Sequence, residues 1–427
     1  MAARVALLAL SIALSFGGSS PATVAASAPE AEAMRFRADF GLDAGIDHVA
    51  SVAARQAAGG VVDERYGLPL LPAEAAEIDR RIAIQEGLGP LKDLLRQDPE
   101  SYGGHYIDQR DSGTIVVQLA GDGGPTAAAI ERALPAGATY RVEQVQRTAA
   151  SLEALVDRIT ADAKDLRQDG IEVVSVALSY RGNTVEVGVA NLTGDEVPTL
   201  QGRYGAAALQ VTANTIEPDS HGCVSTDHCA YPMRGGVWVS GCTAGFIVRR
   251  SSNTLLMTAG HCGGSSDGIW KHNGYGNIGA TYASAAFDGS RTDAQIIHMT
   301  DSQESNWVYL KTYQVQAITG WQGVYQDNEG DLVCKMGANL GYNTCGYISS
   351  VYTSTNVSGV DYIAQRRANY YSVGGDSGGP VFRNTLAIGI HSAKDANGNR
   401  YYSHIGYIDD MLNVVPCFDS KCGDGGT

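Results

Sequence analysis

Hydrophobic and polar positions follow two different rhythms along this chain, and the change falls near its middle. Between Ala73 and Gln97 apolar residues recur at helical spacing among Ala, Glu, Leu and Arg, with a break at Gly87-Leu88-Gly89-Pro90 and a resumption at Leu91. That pattern predicts a helix interrupted by a turn. From Ser151 to Gln168, Leu152, Leu155, Val156, Ile159, Ala163 and Leu166 share one helical face, with Ser151 as the expected N-cap. Thr114 to Leu119 reads as a strand ended by Gly121-Asp122-Gly123-Gly124-Pro125. Two more strands, Ile171 to Leu178 and Thr184 to Val189, flank the turn Tyr180-Arg181-Gly182-Asn183. The first half is therefore expected to be α+β.

From about Val237 the rhythm shortens. Gly245 to Arg249, Leu255 to Thr258, Ala294 to Met299, Val308 to Tyr313, Gly346 to Val351 and Leu386 to Ile390 are short β-branched or aromatic runs separated by Gly, Asn, Ser and Asp. Many short strands at this spacing predict a β-barrel or sandwich, not alternating βαβ units. A final amphipathic stretch, Ile408 to Val415, predicts a short C-terminal helix.

Composition sharpens the division. The chain has 427 residues, which suggests two folding units, and a net charge of -15 with no basic tract, which excludes nucleic acid as a partner. Met1-Ala2-Ala3-Arg4, the apolar run Val5 to Phe16 and the small residues up to Ala28 have the layout of a signal peptide, too short for a membrane span. Export is expected, with no membrane contact after signal cleavage. All eight Cys (Cys223, Cys229, Cys242, Cys262, Cys334, Cys345, Cys417 and Cys422) lie in the second half. An even number confined to one region of an exported chain predicts disulfides there. The expected organisation is a leader over 1–28, an α+β segment over 29–204 and a mostly β domain over 205–427.

Two segments carry chemistry. Thr258-Ala259-Gly260-His261-Cys262 follows an apolar strand, and Gly374-Gly375-Asp376-Ser377-Gly378-Gly379-Pro380 precedes another. A hydroxyl needs an adjacent base to act as a nucleophile, and the oxyanion it creates needs fixed N–H donors. His261 is the candidate base for Ser377, and the N–H groups of Gly375 and Ser377 are the candidate oxyanion donors. Asp267, Asp288 and Asp293 all follow His261 as candidates to orient it. Asp293 is favoured because Arg291-Thr292-Asp293-Ala294-Gln295-Ile296-Ile297 sets it at the mouth of an apolar strand, whereas the other two lie in Gly- and Ser-rich turns.

The order His, Asp, Ser with these motifs resembles the chymotrypsin superfamily, in particular its bacterial branch of streptogrisins and α-lytic protease. Gly241-Cys242-Thr243-Ala244-Gly245-Phe246 belongs to the same likeness, as do Val333-Cys334-Lys335-Met336-Gly337 and Tyr342-Asn343-Thr344-Cys345-Gly346. The resemblance is strong over about 235–415 and extends weakly to Gly104-His105-Tyr106-Ile107-Asp108, which is similar to pro-regions of the α-lytic type. It implies a protease domain of two antiparallel β-barrels preceded by an α+β pro-domain, a Ser-His-Asp triad, and pairs Cys242 to Cys262 and Cys334 to Cys345. Members carry a Cys four residues before the nucleophile; this chain has Val373. The extra cysteines leave 223 to 229 with 417 to 422, or crosswise pairing, equally open, and His221-Gly222-Cys223 with His228-Cys229 has the ligands of a zinc site. Oxidising conditions favour disulfides, so no metal and no organic cofactor is expected. Asp376 resembles the family's buried structural acid, with an internal basic partner that the sequence does not identify.

The resemblance also implies a substrate pocket. Ile390-His391-Ser392-Ala393-Lys394 is similar to the segment that pairs with substrate and lines the specificity pocket, with Ser392 behind the triad. Tyr371 occupies the pocket floor where a trypsin-like enzyme has an acid. His391, Ser372 and Lys394 supply donors and positive charge, and a His at this place in the streptogrisin group goes with glutamyl specificity. The expected activity is thus a secreted, monomeric serine endopeptidase acting on protein or peptide substrates, with a preference for Glu or Asp before the scissile bond. Its pro-region is expected to act as folding aid and inhibitor, removed by cutting between about Pro198 and His221. The competing class is a non-catalytic secreted binding protein that keeps the fold; such relatives lose a triad residue, and all three are present here.

Overall fold

A computed structural model describes residues 27–218, 233–263, 268–272, 276–300, 304–311 and 314–418. The leader expected over 1–28 lies almost wholly outside them, as do Cys223, Cys229 and Cys422 and the paired His and Cys of 221–229. Among the described residues, no helix is long and apolar enough to cross a membrane.

The first half is α+β, as its periodicity predicts. Helices Pro72–Glu86 and Gly89–Arg96 are the two pieces of the interrupted helix, each with a Pro in its first turn, where a missing N–H costs nothing. Helix Ala149–Gln168 buries Leu152, Val156, Ile159 and Leu166. Its cap is Thr148, whose hydroxyl accepts from the Ser151 N–H at 3.2 Å, so the cap sits three residues before the Ser151 expected. The predicted strands become Thr114–Ala120, Val173–Ser179 and Thr184–Val189. Helices Ala28–Asp39 and Ile46–Ala57, and strand Tyr102–Asp108, add elements that the periodicity did not single out.

The second half contains two antiparallel systems of strands. One is a six-stranded sheet in the order 269–272, 276–284, 295–299, 253–258, 247–250, 415–416. In the other, strands 332–336, 380–383, 386–395, 400–404, 360–368 and 343–357 follow one another, and Leu332–Met336 also bonds Asn343–Val357, so the run returns on itself. The C-terminal helix is Ile405–Leu412, three residues earlier than the pattern Ile408 to Val415 suggested. Its start is set by His404, whose side chain accepts from the Gly406 N–H at 3.1 Å.

The halves share both sheet and core. Strand Val173–Ser179 pairs antiparallel with Asn343–Val357, through Thr353 opposite Ala177 and Thr355 opposite Ser175, and so adds three N-terminal-half strands to the second system. Phe36, Phe40, Tyr66 and Ile78 pack in one cluster with Leu332, Met336, Phe382 and Ile405. Polar ties flank that junction: Glu186 with Arg367 at 2.7 Å, Asp39 with Asn369 at 2.8 Å, and the buried pair His105 and Asn328 at 2.8 Å. Further along, Ile216–Pro218 runs antiparallel on strand Leu386–Asp395, with Pro218 opposite Ala393 and Ile216 opposite Asp395.

Candidate active site

Each site residue stands at a strand end where the two systems of the second half meet. Strand Asn253–Thr258 buries Leu255, Leu256 and Met257 completely and ends in the 3-10 turn Gly260–Cys262, which carries His261. The disulfide from Cys262 to Cys242 ties this turn to the neighbouring segment, with Cα atoms 6.2 Å apart. Asp293 lies two residues before strand Gln295–Met299, which pairs with Asn253–Thr258, so the two elements that present His261 and Asp293 are hydrogen-bonded neighbours.

Ser377 comes from the other system, in the turn before strand Pro380–Arg383. Gly375 and Gly378 have φ of +90° and +84°, a region that strains any residue with a Cβ. At Gly378 a Cβ would also lie 2.0 Å from the Thr258 hydroxyl. The turn is held from outside: the Ser377 carbonyl accepts from the Thr243 N–H at 2.7 Å, and the Gly375 carbonyl from the Thr243 hydroxyl at 2.7 Å.

The three side chains form a continuous hydrogen-bonded line. His261 Nδ1 lies 2.5 Å from Asp293 Oδ2, and His261 Nε2 lies 3.0 Å from Ser377 Oγ. Asp293 is fully buried and bound on all sides. Its Oδ1 accepts from the His261 N–H at 2.8 Å and the Tyr362 hydroxyl at 3.3 Å, and its Oδ2 also accepts from the Ser392 hydroxyl. Its own N–H donates to the Ser403 hydroxyl at 2.8 Å. Burial alone would raise the Asp293 carboxyl, but the charge of His261 and the bonds from His261 and Ser392 outweigh it and hold it below the usual carboxylate range. An ionised acid behind Nδ1 fixes the proton there and leaves Nε2 as acceptor towards the hydroxyl. Ser377 Oγ has a second acceptor, the Ser392 carbonyl, at 3.0 Å. The other described candidate acid, Asp288, points elsewhere, accepting from the Asp361 N–H at 2.9 Å. Asp267 lies outside the described residues.

Asp376 receives the basic partner that the sequence left unnamed. It is Lys335, and both side chains are fully buried and paired. The same carboxylate accepts from the N–H groups of Val373 at 3.0 Å and Leu340 at 3.2 Å. Lys335 follows Cys334, whose disulfide to Cys345 closes the adjacent hairpin. Truncating one member of such a pair leaves a buried charge uncompensated, so Lys335→Met is expected to destabilise by about 3–5 kcal/mol. The denaturant midpoint checks it, and a change below about 1 kcal/mol would argue that water reaches Asp376.

The pocket residues read from the sequence are brought together, but not all in the roles expected. Ser392 is buried behind Asp293, as expected. His391 is fully buried with its Nδ1 3.0 Å from the Tyr370 hydroxyl, an aromatic partner that the motifs did not point to. Ser372 is buried and Tyr371 half-buried, its ring faced by the Arg400 guanidinium at 5.9 Å. Lys394 is half-buried and stands opposite Arg400 in one neighbouring strand and Glu217 in the other. Arg400 was also missed; Asn397-Gly398-Asn399-Arg400 reads as an exposed turn. Cys417 is disulfide-bonded too, its pairing lying outside the described residues. The only described cluster with metal-ligating atoms is Cys242, His261 and Cys262. Its two sulfurs are joined to each other, so they offer no thiolate to a metal.

Comparison with known proteins bears directly on this arrangement. Residues 222–415 match the family model described as Trypsin. "Serine protease 2" of Streptomyces fradiae is 30% identical over 159 residues, 36% of this chain and 88% of that protein. "Serine protease 1" of the same organism is 26% identical over 343 residues, 76% of this chain and 83% of that protein, so the likeness runs well into the first half. "Glutamyl endopeptidase 2" of Streptomyces griseus is 29% identical over 154 residues, 36% of this chain and 78% of that protein.

Proposed function

The chain belongs to the trypsin family of chymotrypsin-like serine endopeptidases, and from that premise we propose that His261, Asp293 and Ser377 are its catalytic triad. The observation that carries the assignment is the line from Asp293 Oδ2 through both imidazole nitrogens to Ser377 Oγ. Ser377 Oγ attacks the carbonyl carbon of the scissile peptide as Nε2 of His261 takes its proton. Asp293 stabilises the imidazolium, and the Gly375 and Ser377 N–H groups donate to the oxyanion. Collapse passes the proton from Nε2 to the leaving amine and leaves an ester on Ser377. Water, deprotonated by the same nitrogen, hydrolyses that ester to the free acid and restores the hydroxyl.

Residues 29–204 are proposed as a pro-region of a secreted precursor, with 1–28 as the signal peptide. The strand pairing between Val173–Ser179 and Asn343–Val357 supports a templating role, because it presents a sheet edge to a hairpin whose partners beyond Val360–Ala368, such as Arg400–His404, are remote in sequence. Refolding residues 222–427 should recover activity only when residues 29–204 are present; equal yields without them would remove the chaperone role. Cutting is proposed between Pro198 and His221. The strand Ile216–Pro218 lies along the edge that serves substrate, which favours the far end of that range and gives the pro-region an inhibitory hold until it leaves.

The substrate preference is proposed to be Glu, and also Asp, before the scissile bond. Its supports are the buried His391 hydrogen-bonded to Tyr370, the absence of an acid at Tyr371, and the likeness to a protein named as a glutamyl endopeptidase. Hydrolysis of substrates differing only as Glu, Phe, Leu or Lys at that position tests it, with Glu expected to be fastest.

A further inference from the structure

Strand Arg400–His404 runs antiparallel to Leu386–Asp395, with Tyr402 opposite His391 and Arg400 opposite Lys394. Side chains two residues apart on a strand point to one face, so Arg400 and Tyr402 share a side, and Tyr402 shares it with its cross-strand partner His391. Tyr370, on the His391 ring, and Tyr371, under the Arg400 guanidinium, border the same face. This face lies directly beneath the nucleophile. The His391 N–H donates to the Gly379 carbonyl at 2.9 Å, its carbonyl accepts from the Gly378 N–H at 2.8 Å, and the next residue, Ser392, touches Ser377 Oγ.

Arg400 differs from every other buried arginine described. Arg37 pairs with Glu74, Arg81 with Glu77, Arg366 with Asp327, Arg367 with Glu186, and Arg383 with Glu86 and Asp331. Arg400, only 8% exposed, has no carboxylate partner among the described residues. Among the described residues, the one hydrogen bond of its guanidinium goes to the carbonyl of its neighbour Asn399 at 3.1 Å, and its Nε has no partner. The Tyr402 hydroxyl, two residues along the strand, is also buried without a hydrogen-bond partner, but it lies towards Asp327 and Arg366. Leaving a cation desolvated and unpaired costs stability unless a ligand completes it.

We propose that Arg400 is the counter-charge of the specificity pocket, binding the side-chain carboxylate of the residue before the scissile bond, with His391 as an accompanying polar group. A carboxylate there receives charge-assisted bonds from the guanidinium, and a neutral or cationic side chain leaves it unpaired. The chain's own sequence carries an acid just beyond this edge. Ile216–Pro218 is seated antiparallel on Ala393–Asp395, one residue short of Ser392, and the next residue in the sequence is Asp219. The bond after Asp219 is accordingly the maturation bond that this pocket would select.

The proposal rests on the endopeptidase reading and its acid preference, and the test separates the three. On the mature enzyme, kcat/KM for a Glu substrate is expected to fall about 100-fold in Arg400→Gln, with Phe and Leu substrates changed less than about threefold. Fluorophosphonate labelling of Ser377 verifies that the variant is folded. If wild type prefers Glu and Arg400→Gln keeps that preference, Arg400 is not the counter-charge, although the acid preference stands. A wild type faster on Phe or Leu overturns the preference and this proposal together, and a wild type that neither turns over nor labels overturns the endopeptidase. Should Arg400→Gln fail to fold, a structure of wild type with a peptide ending in Glu decides. The carboxylate is expected within about 3.2 Å of the guanidinium, and a separation beyond about 4 Å refutes the assignment.

Discussion

Ser377→Ala is expected to abolish peptide hydrolysis, with a loss on the order of 10⁴-fold or more, and to leave the full-length precursor uncut in a purified system. The alanine removes only the oxygen that lies 3.0 Å from His261 Nε2 and 3.0 Å from the Ser392 carbonyl. The backbone bonds that hold the turn, from Thr243 and His391, are untouched, as is the buried pair of Asp376 and Lys335. The variant should therefore fold like wild type, which its thermal unfolding would verify. Labelling by a fluorophosphonate, present in wild type and absent in the variant, reads the nucleophile directly. Full turnover by folded Ser377→Ala would end the triad assignment, and normal maturation of that precursor in isolation would end self-cutting alone.

Much of this site was legible because its residues are bound to local backbone demands. Gly375 and Gly378 adopt positive φ, and Gly378 admits no side chain beside Thr258, so Ser377 is framed by glycines that a sequence displays. His261 and Asp293 each adjoin an apolar strand, and the two strands are adjacent in one sheet, which is why an acid at a strand mouth outranked acids in turns. The partners that the sequence hid are those fixed by long-range packing. Lys335 lies 41 positions before Asp376 and reads as one more polar residue beside a cysteine. Arg400 follows a Gly-Asn turn, and only the register between Arg400–His404 and Leu386–Asp395 turns it inward beside Tyr371. The pairing of Val173–Ser179 with Asn343–Val357 was hidden for the same reason, since a strand pattern shows an apolar face and not which distant edge it meets.

Asp293→Asn should keep the fold and lose activity on the order of 10⁴-fold, almost as much as removing the nucleophile. The carboxylate serves two sets of donors at once: Oδ1 accepts from the His261 N–H and Tyr362, and Oδ2 from the His261 ring and Ser392. An amide of nearly the same shape supplies one acceptor oxygen and one NH₂ group. With its oxygen kept towards the His261 N–H, its nitrogen faces Nδ1, which must then accept, so the ring proton moves to Nε2. That nitrogen can no longer take the Ser377 proton, and the Ser392 hydroxyl turns from donor to acceptor. The loss should therefore appear in kcat, with KM little changed, because Tyr371, His391 and Arg400, the residues proposed for the pocket, are not among the described partners of the Asp293 carboxylate. Asp288→Asn is the control: its carboxylate meets only the Asp361 N–H among the described contacts, so near wild-type kcat is expected. A collapse of kcat in Asp288→Asn with activity retained in Asp293→Asn would transfer the orienting role to Asp288 and remove Asp293 from the triad.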